Sequence, residues 1–200
     1  MKYTPYDYQR AGINWILNNP RCALFWGMGT GKTVTTLTAV DILLHDWLED
    51  GPVLVIAPKR VAENTWTTEC AKWEHLQHLR VKRMMGSASE RAEALSSALG
   101  QHPDDIYVIN RENVKWLEGK TAAAHKWPFK IVVLDELSSF KNRSSERWKA
   151  LRRVRGQIHR VIGLTGTPRP NGIEDLWAQL YLLDGGQRLE KSLTAFRRKY

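Results

Sequence analysis

Apolar positions along this chain follow two periods. Short apolar runs lie at residues 23–26, 53–57, 79–84, 106–109, 130–134 and 160–164, and runs of this length predict strands, buried on both faces where they are richest in Val, Ile and Leu. Elsewhere apolar residues recur every three or four positions, as in Tyr8, Ala11, Gly12, Trp15 and Ile16, or Val34, Leu37, Val40, Leu44 and Trp47. That spacing predicts amphipathic helices, placing Trp15 and Trp47, with Trp148 and Trp177 further on, on packed faces. Residues 86–99, rich in Ala and Ser, read as an exposed helix, 121–128 as a loop, and 173–183 as a helix broken by Asp184-Gly185-Gly186. Strand and helix alternate, so the fold class is α/β, a mostly parallel sheet with helices on both faces.

Three strand ends carry chemistry. Ala23–Trp26 runs into Gly27-Met28-Gly29-Thr30-Gly31-Lys32-Thr33, and a helix comes next. Strand, glycine loop, helix is the setting of a phosphate loop, in which glycines let successive N–H groups converge on phosphate oxygens and the helix start adds free donors. Lys32 is the candidate for the β- and γ-phosphates, and the Thr33 hydroxyl for Mg²⁺. The motif departs from Gly-x-x-x-x-Gly-Lys-Thr at its first position, which is Trp26. That Trp either touches the nucleotide or packs the strand. The run 130–134 ends in Asp135-Glu136. There Asp135 is placed to hold Mg²⁺, and Glu136 to orient or deprotonate a water. The run 160–164 ends in Thr165-Gly166-Thr167-Pro168-Arg169-Pro170-Asn171, a hydroxyl-rich turn. Together the three segments point to an ATP-hydrolysing core.

In order and spacing these segments resemble helicase superfamily two, and within it the Swi/Snf-like double-stranded-DNA translocases, most closely the compact versions encoded by bacteriophages. The similarity extends to Pro5-Tyr6-Asp7-Tyr8-Gln9 with Gly12-Ile13-Asn14-Trp15, to Val53–Pro58 with Trp66 and Lys72-Trp73, to Asp135–Asn142, and to Leu164–Pro168 with Asn171 and Leu176-Trp177. It covers residues 5 to 184, nearly the whole chain. The resemblance implies a RecA-like P-loop NTPase domain over residues 1–184, with 185–200 beginning a connection toward a second RecA-like lobe that would bring arginines to the ATP site. It implies ATP and Mg²⁺ as cofactors, and Gln9 as the residue contacting adenine. Nucleic acid, best double-stranded DNA, is the implied partner, touched by Lys59 and Arg60, and by Arg111 and Asn113. Thr165, Gly166 and Thr167 would couple nucleotide state to DNA grip. Ser138 stands where the family's acidic box has histidine, and Trp66 lies about one residue further from Pro58 than usual.

Composition narrows the alternatives. The 200 residues suit one domain, and no apolar run approaches the ~20 residues that cross a membrane. Met1-Lys2-Tyr3-Thr4-Pro5 lacks a signal peptide's apolar core, which makes cytoplasm, or a host's cytoplasm, the expected compartment. Two cysteines, Cys22 and Cys70, are too few for a disulfide framework. Cys70, His75 and His78 form a loose metal-ligand spacing, against which stands the want of a fourth ligand. The net charge of +9 is concentrated in residues 141–160, where eight Lys and Arg face only Glu146. Such a run suits either phosphodiester backbone or the solvated side of a packed helix. Two other classes remain: a small-molecule P-loop enzyme such as a nucleotide kinase, for which no acceptor pocket or lid is evident, and a non-catalytic nucleic-acid-binding or partner-recruiting module.

Overall fold

The expected strands form, each within two residues at either end. The computed structural model describes residues 1–169 and 172–200; Pro170 and Asn171, named above with the third loop, lie outside the described residues. The strands are β1 (Arg21–Phe25), β2 (Val53–Ala57), β3 (Val81–Arg83), β4 (Ile106–Asn110), β5 (Ile131–Asp135) and β6 (Arg160–Thr165). All pair in parallel, in the order β1-β6-β5-β2-β4-β3. The helices are α1 (Asp7–Asn18), α2 (Lys32–Asp41), α3 (Lys59–Lys72), α4 (Ala88–Leu99), α5 (Val114–Ala123), α6 (Glu146–Val154), α7 (Ile173–Asp184) and α8 (Leu193–Lys199).

Because side chains alternate across a strand, the sheet builds two cores. Val53, Val55, Val108, Val133 and Ile162 face α1, α2 and α3 through Ile16, Leu37 and Trp66. Leu54, Ile56, Ile109, Val132 and Leu134 face α4 to α8 through Leu95, Leu117, Trp148, Trp177 and Phe196. The segment after Gly185 therefore packs on the domain, since Phe196 of α8 is buried in the second core.

Several helix faces differ from expectation. In α1 the buried residues are Gln9, Gly12, Ile13, Ile16 and Leu17, and Tyr8, Ala11 and Trp15 turn outward. The face is rotated because the polar Gln9 goes inward. After α2 the chain widens into a π turn over Ile42–Asp46, where the Trp47 amide donates to the Ile42 carbonyl at 2.9 Å. The wider turn shifts the helical phase of the residues after it. Leu43 fills the core and Trp47 is half exposed, contrary to its expected packing. Trp148 and Trp177 do pack as expected. Residues 121–123 belong to α5 rather than to a loop, and the Thr121 hydroxyl donates to the Leu117 carbonyl. Helix α4 starts on a capping box of Ser87 and Glu90 and buries Ala94, Leu95 and Ala98, so only part of it is exposed.

Candidate functional site

Parallel strands all end on one edge of the sheet, and the order of this one sets the three loops side by side. Phe25 of β1 is level with Thr165 of β6, and Leu164 with Asp135 of β5. The glycine loop, the hydroxyl-rich loop and the acidic pair thus leave neighbouring strands at their carboxyl ends, where open α/β sheets bind ligands.

Gly29 and Gly31 take left-handed backbone, at φ 75° and 79°, a conformation that favours glycine. Gly31 caps α2, and a Cβ there would lie 2.5 Å from the Gln9 amide nitrogen. Gln9 supports the loop from below. Its Nε2 donates to the Thr30 carbonyl at 3.1 Å, and its Oε1 accepts from the Tyr6 amide at 3.0 Å and the Tyr3 hydroxyl at 3.3 Å. The Tyr8 hydroxyl donates to the same Thr30 carbonyl. The Lys32 ammonium donates to the carbonyls of Trp26 and Gly27, at 3.0 and 2.7 Å. Trp26 itself packs: its ring tip lies where a Cβ on Gly12 would sit, and Tyr8 meets it edge-on at 5.3 Å. A cleft of about 620 Å³ opens beside the loop, lined by Tyr6, Tyr8, Gln9, Gly29, Gly31, Lys32 and Thr33 among others. Met28, at the loop's tip, is almost fully exposed.

Asp135 is pushed above the ordinary carboxylate range by burial, and Glu136 beside it adds to the rise. The Trp66 indole N–H, donating to Asp135 Oδ2 at 2.9 Å, and the Lys32 ammonium pull it back down. Glu136 adopts left-handed backbone, φ 60° and ψ 65°, which is uncommon for a residue with a side chain. The turn carries its carboxylate back over β6. There Glu136 Oε1 accepts from the Ser138 hydroxyl at 2.5 Å and from the Thr165 hydroxyl at 2.8 Å. Thr165 Oγ1 in turn accepts from the Thr167 amide at 3.1 Å. Gly166 runs against the glycine loop, and a Cβ on it would lie 3.3 Å from the Trp26 carbonyl oxygen. Gln179 of α7 holds the far end of this segment by donating to the Pro168 carbonyl.

Lys59 and Arg60 begin α3 after β2, and Arg111 and Asn113 come after β4, its neighbour in register at Ala57 and Asn110. Lys59 and Asn113 line one cleft of about 870 Å³, together with Lys82, Arg83, Asn110 and several glutamates. Lys59 lies 4.0 Å from Glu63 and Arg111 3.0 Å from Glu112, so both cations have acidic neighbours. The basic run of residues 141–160 does not form one surface. Arg160 is buried at the opposite edge of the sheet, paired with Glu49 and donating to the Ile16 and Leu17 carbonyls at the end of α1. Arg153 pairs with Glu118, Lys141 with Asp175, and Lys149 with Glu146. The loose Cys70–His75–His78 spacing does not come together as a ligand set among the described residues: Cys70 lies on the buried face of α3, where burial pushes its thiol up to about 12.

Trp66, Ser138 and Tyr8 join the site although sequence reasoning gave them no such part. Trp66 lies 69 positions from Asp135, and nothing local announces the bond. Among the described residues no helix is long and apolar enough to cross a membrane.

Comparison with known proteins places this geometry. Residues 8–199 match the model of the SNF2-related domain. Protein p41 of Acyrthosiphon pisum secondary endosymbiont phage 1 is 38% identical over 203 residues, covering 99% of this chain and 43% of that protein. The human SWI/SNF-related matrix-associated actin-dependent regulator of chromatin subfamily A member 1 is 31% identical over 181 residues, 88% of this chain and 17% of that one. A solved structure, the Sulfolobus solfataricus SWI2/SNF2 ATPase core in complex with dsDNA, superposes with a TM-score of 0.78 at 26% identity, covering 100% of this chain and 39% of that one. The chain spans less than half the length of each of these relatives. With the family's model matched over nearly its whole length and the family's fold beneath the match, the chain belongs to the SNF2-related domain family.

Proposed function

We propose that this chain is the ATP-binding lobe of a DNA-dependent ATPase that couples hydrolysis to movement along duplex DNA. The observation that carries the reading is the bond from Thr165 to Glu136, which ties the hydroxyl-rich loop to the carboxylate best placed to act on water. The double-stranded DNA in the Sulfolobus complex supports the choice of partner.

The residues present fit a Mg²⁺-nucleotide. Two left-handed glycines shape a loop at a helix N-terminus, and Thr33 and Asp135 offer the hard oxygen atoms that Mg²⁺ prefers. Bound there, Mg²⁺ would neutralise charge on the β- and γ-phosphate oxygens. The backbone amides from Gly27 to Thr33, Met28 and Thr30 included, would cradle the phosphates, and the Lys32 ammonium would swing from its loop carbonyls to the γ-phosphate. Gln9 keeps one Nε2 hydrogen beyond its bond to Thr30, enough to reach adenine while still bracing the loop. Glu136 would accept a proton from the attacking water through Oε2, since Oε1 already takes two hydroxyl donors. An arginine from a second RecA-like lobe would add roughly 10³-fold or more. Lys59, Arg60, Arg111 and Asn113 would touch the DNA backbone without reading sequence. Thr165, Gly166 and Thr167 would pass a change at the nucleotide to the DNA side.

Trp66→Phe separates positioning from packing. It removes the N–H that holds Asp135 down, so the carboxyl rises further and competes less well for metal at a given pH. The Mg²⁺ concentration for half-maximal ATP turnover is expected to rise roughly tenfold, with the pH threshold moving upward. An unchanged Mg²⁺ dependence would leave Trp66 a packing residue only.

The reading itself is tested by ATP turnover with duplex DNA, single-stranded DNA or RNA, comparing residues 1–200 with any longer product of the same gene. Slow turnover by the 200 residues and stimulation of the longer product, greatest with duplex DNA, is the expected result. DNA binding that ignores ATP would favour the non-catalytic module, and rates unmoved by any nucleic acid would overturn the motor.

A further inference from the structure

At the far end of the phosphate-loop helix, Asp41, His45 and His78 converge, and we infer that they form a binding site for a first-row transition-metal ion of the Zn²⁺ class. His45 Nδ1 lies 2.9 Å and His78 Nε2 2.8 Å from the same oxygen, Asp41 Oδ1. The three ligand atoms all lie within 4.8 Å of one another.

The local backbone produces this grouping. Asp41 is the last residue of α2, and the π turn over Ile42–Asp46 holds His45 beside it. Single π turns inside helices recur at functional sites. His78 comes from a separate segment, between the short 3₁₀ turn Glu74–Leu76 and β3. The two imidazoles meet edge-on, centroids 5.0 Å apart at 74°, so both nitrogens can aim at one point beside the carboxylate.

Bond lengths favour the assignment. Tetrahedral Zn²⁺ with bonds of about 2.0–2.1 Å separates its ligand atoms by roughly 3.3 Å. The nitrogens therefore need to retreat by about half an ångström from the oxygen, which half-exposed side chains do readily. Water would complete the coordination. Two imidazoles and one carboxylate suit Zn²⁺, Co²⁺ or Ni²⁺ and are poor ligands for Mg²⁺, which prefers oxygen alone. Mg²⁺ at the nucleotide would not compete.

The neighbouring His75 does not oppose a cation. His75 lies close enough to feel both Asp41 and His78, and burial holds it below the ordinary imidazole range, so it adds no positive charge near neutral pH. Its Nε2 is engaged with the Thr38 hydroxyl at 2.9 Å. The proposed ion would staple the end of α2 to the segment leading into β3, fixing the helix whose other end carries Lys32 and Thr33.

The test is Co²⁺ titration of the untagged chain in the presence of Mg²⁺, monitored by visible absorption, with Zn²⁺ as competitor. A saturable one-to-one spectrum displaced by Zn²⁺ is expected. Affinity should fall at least about tenfold in His45→Ala, His78→Ala and Asp41→Asn, and stay unchanged in His102→Ala, an exposed histidine elsewhere. Zn²⁺ should raise the Tm of the parent chain and of His102→Ala only, a difference that remains readable if a variant starts from a lower Tm. Absence of one-to-one binding below about 1 mM, or equal binding by all variants, would overturn the site.

Discussion

Glu136→Gln is expected to bind ATP as the parent chain does and to lose turnover by roughly 10²–10⁴-fold, the usual share of a general base. The geometry makes this substitution unusually clean. The Ser138 and Thr165 hydroxyls both donate to Oε1, and a glutamine carbonyl oxygen accepts the same two bonds. The left-handed backbone at residue 136 and the link to β6 therefore survive. What disappears is the charge on the second oxygen. Removing it also relieves a like-charge neighbour of Asp135, which is held above its ordinary range partly by Glu136. Asp135 should then ionise more easily, so metal and nucleotide binding have no reason to weaken. Binding is read by nucleotide titration and turnover by phosphate release, on the longest product of the gene. A matching loss of both would mean that Glu136 holds the nucleotide, and the role assigned to it would fail.

Much of the fold is legible in the sequence because parallel strands buried on both faces are written as uninterrupted apolar runs. Val53–Ala57 and Ile131–Leu134 have few other readings, and the motifs at the strand ends fix which edge carries the site. Side-chain direction on the helices is less legible. Trp15 and Trp47 are apolar and correctly spaced, yet α1 turns to bury Gln9, and the π turn after α2 moves Trp47 outward. Neither a polar residue drawn inward by a loop carbonyl nor a single widened turn leaves a periodic trace. Charge alone leaves the basic run of residues 141–160 open between a phosphodiester backbone and the solvated side of a packed helix. Arg160 takes neither part, because it lies on a central strand, where burial is tolerable only because Glu49 and two carbonyls satisfy its guanidinium. Partnerships across the sheet are the least visible of all. Trp66 to Asp135 and His78 to Asp41 join residues far apart in the chain, and only the strand order brings them together.

Lys32→Ala is expected to weaken ATP binding by at least about 100-fold while the fold persists. The Lys32 ammonium donates to two carbonyls at the mouth of the loop and forms no ion pair among the described residues, so its removal costs the unliganded chain little. Towards a triphosphate it supplies charge-assisted bonds worth about 1.5–3 kcal/mol each, and two of them account for the expected loss. A second effect acts in the same direction. Lys32 helps to hold the Asp135 carboxyl down, so without it Asp135 rises further and becomes a weaker partner for Mg²⁺. Thermal unfolding should give a Tm close to that of the parent chain, and nucleotide should no longer raise it. A drop in affinity of less than tenfold would place the phosphates elsewhere in the cleft, beside Lys2 or Lys72, which share its lining. The glycine loop would then be a structural turn. Because Glu136→Gln should keep binding and Lys32→Ala should weaken it, the pair tests both halves of the site, and a phosphate loop joined to a hydrolytic carboxylate requires both results.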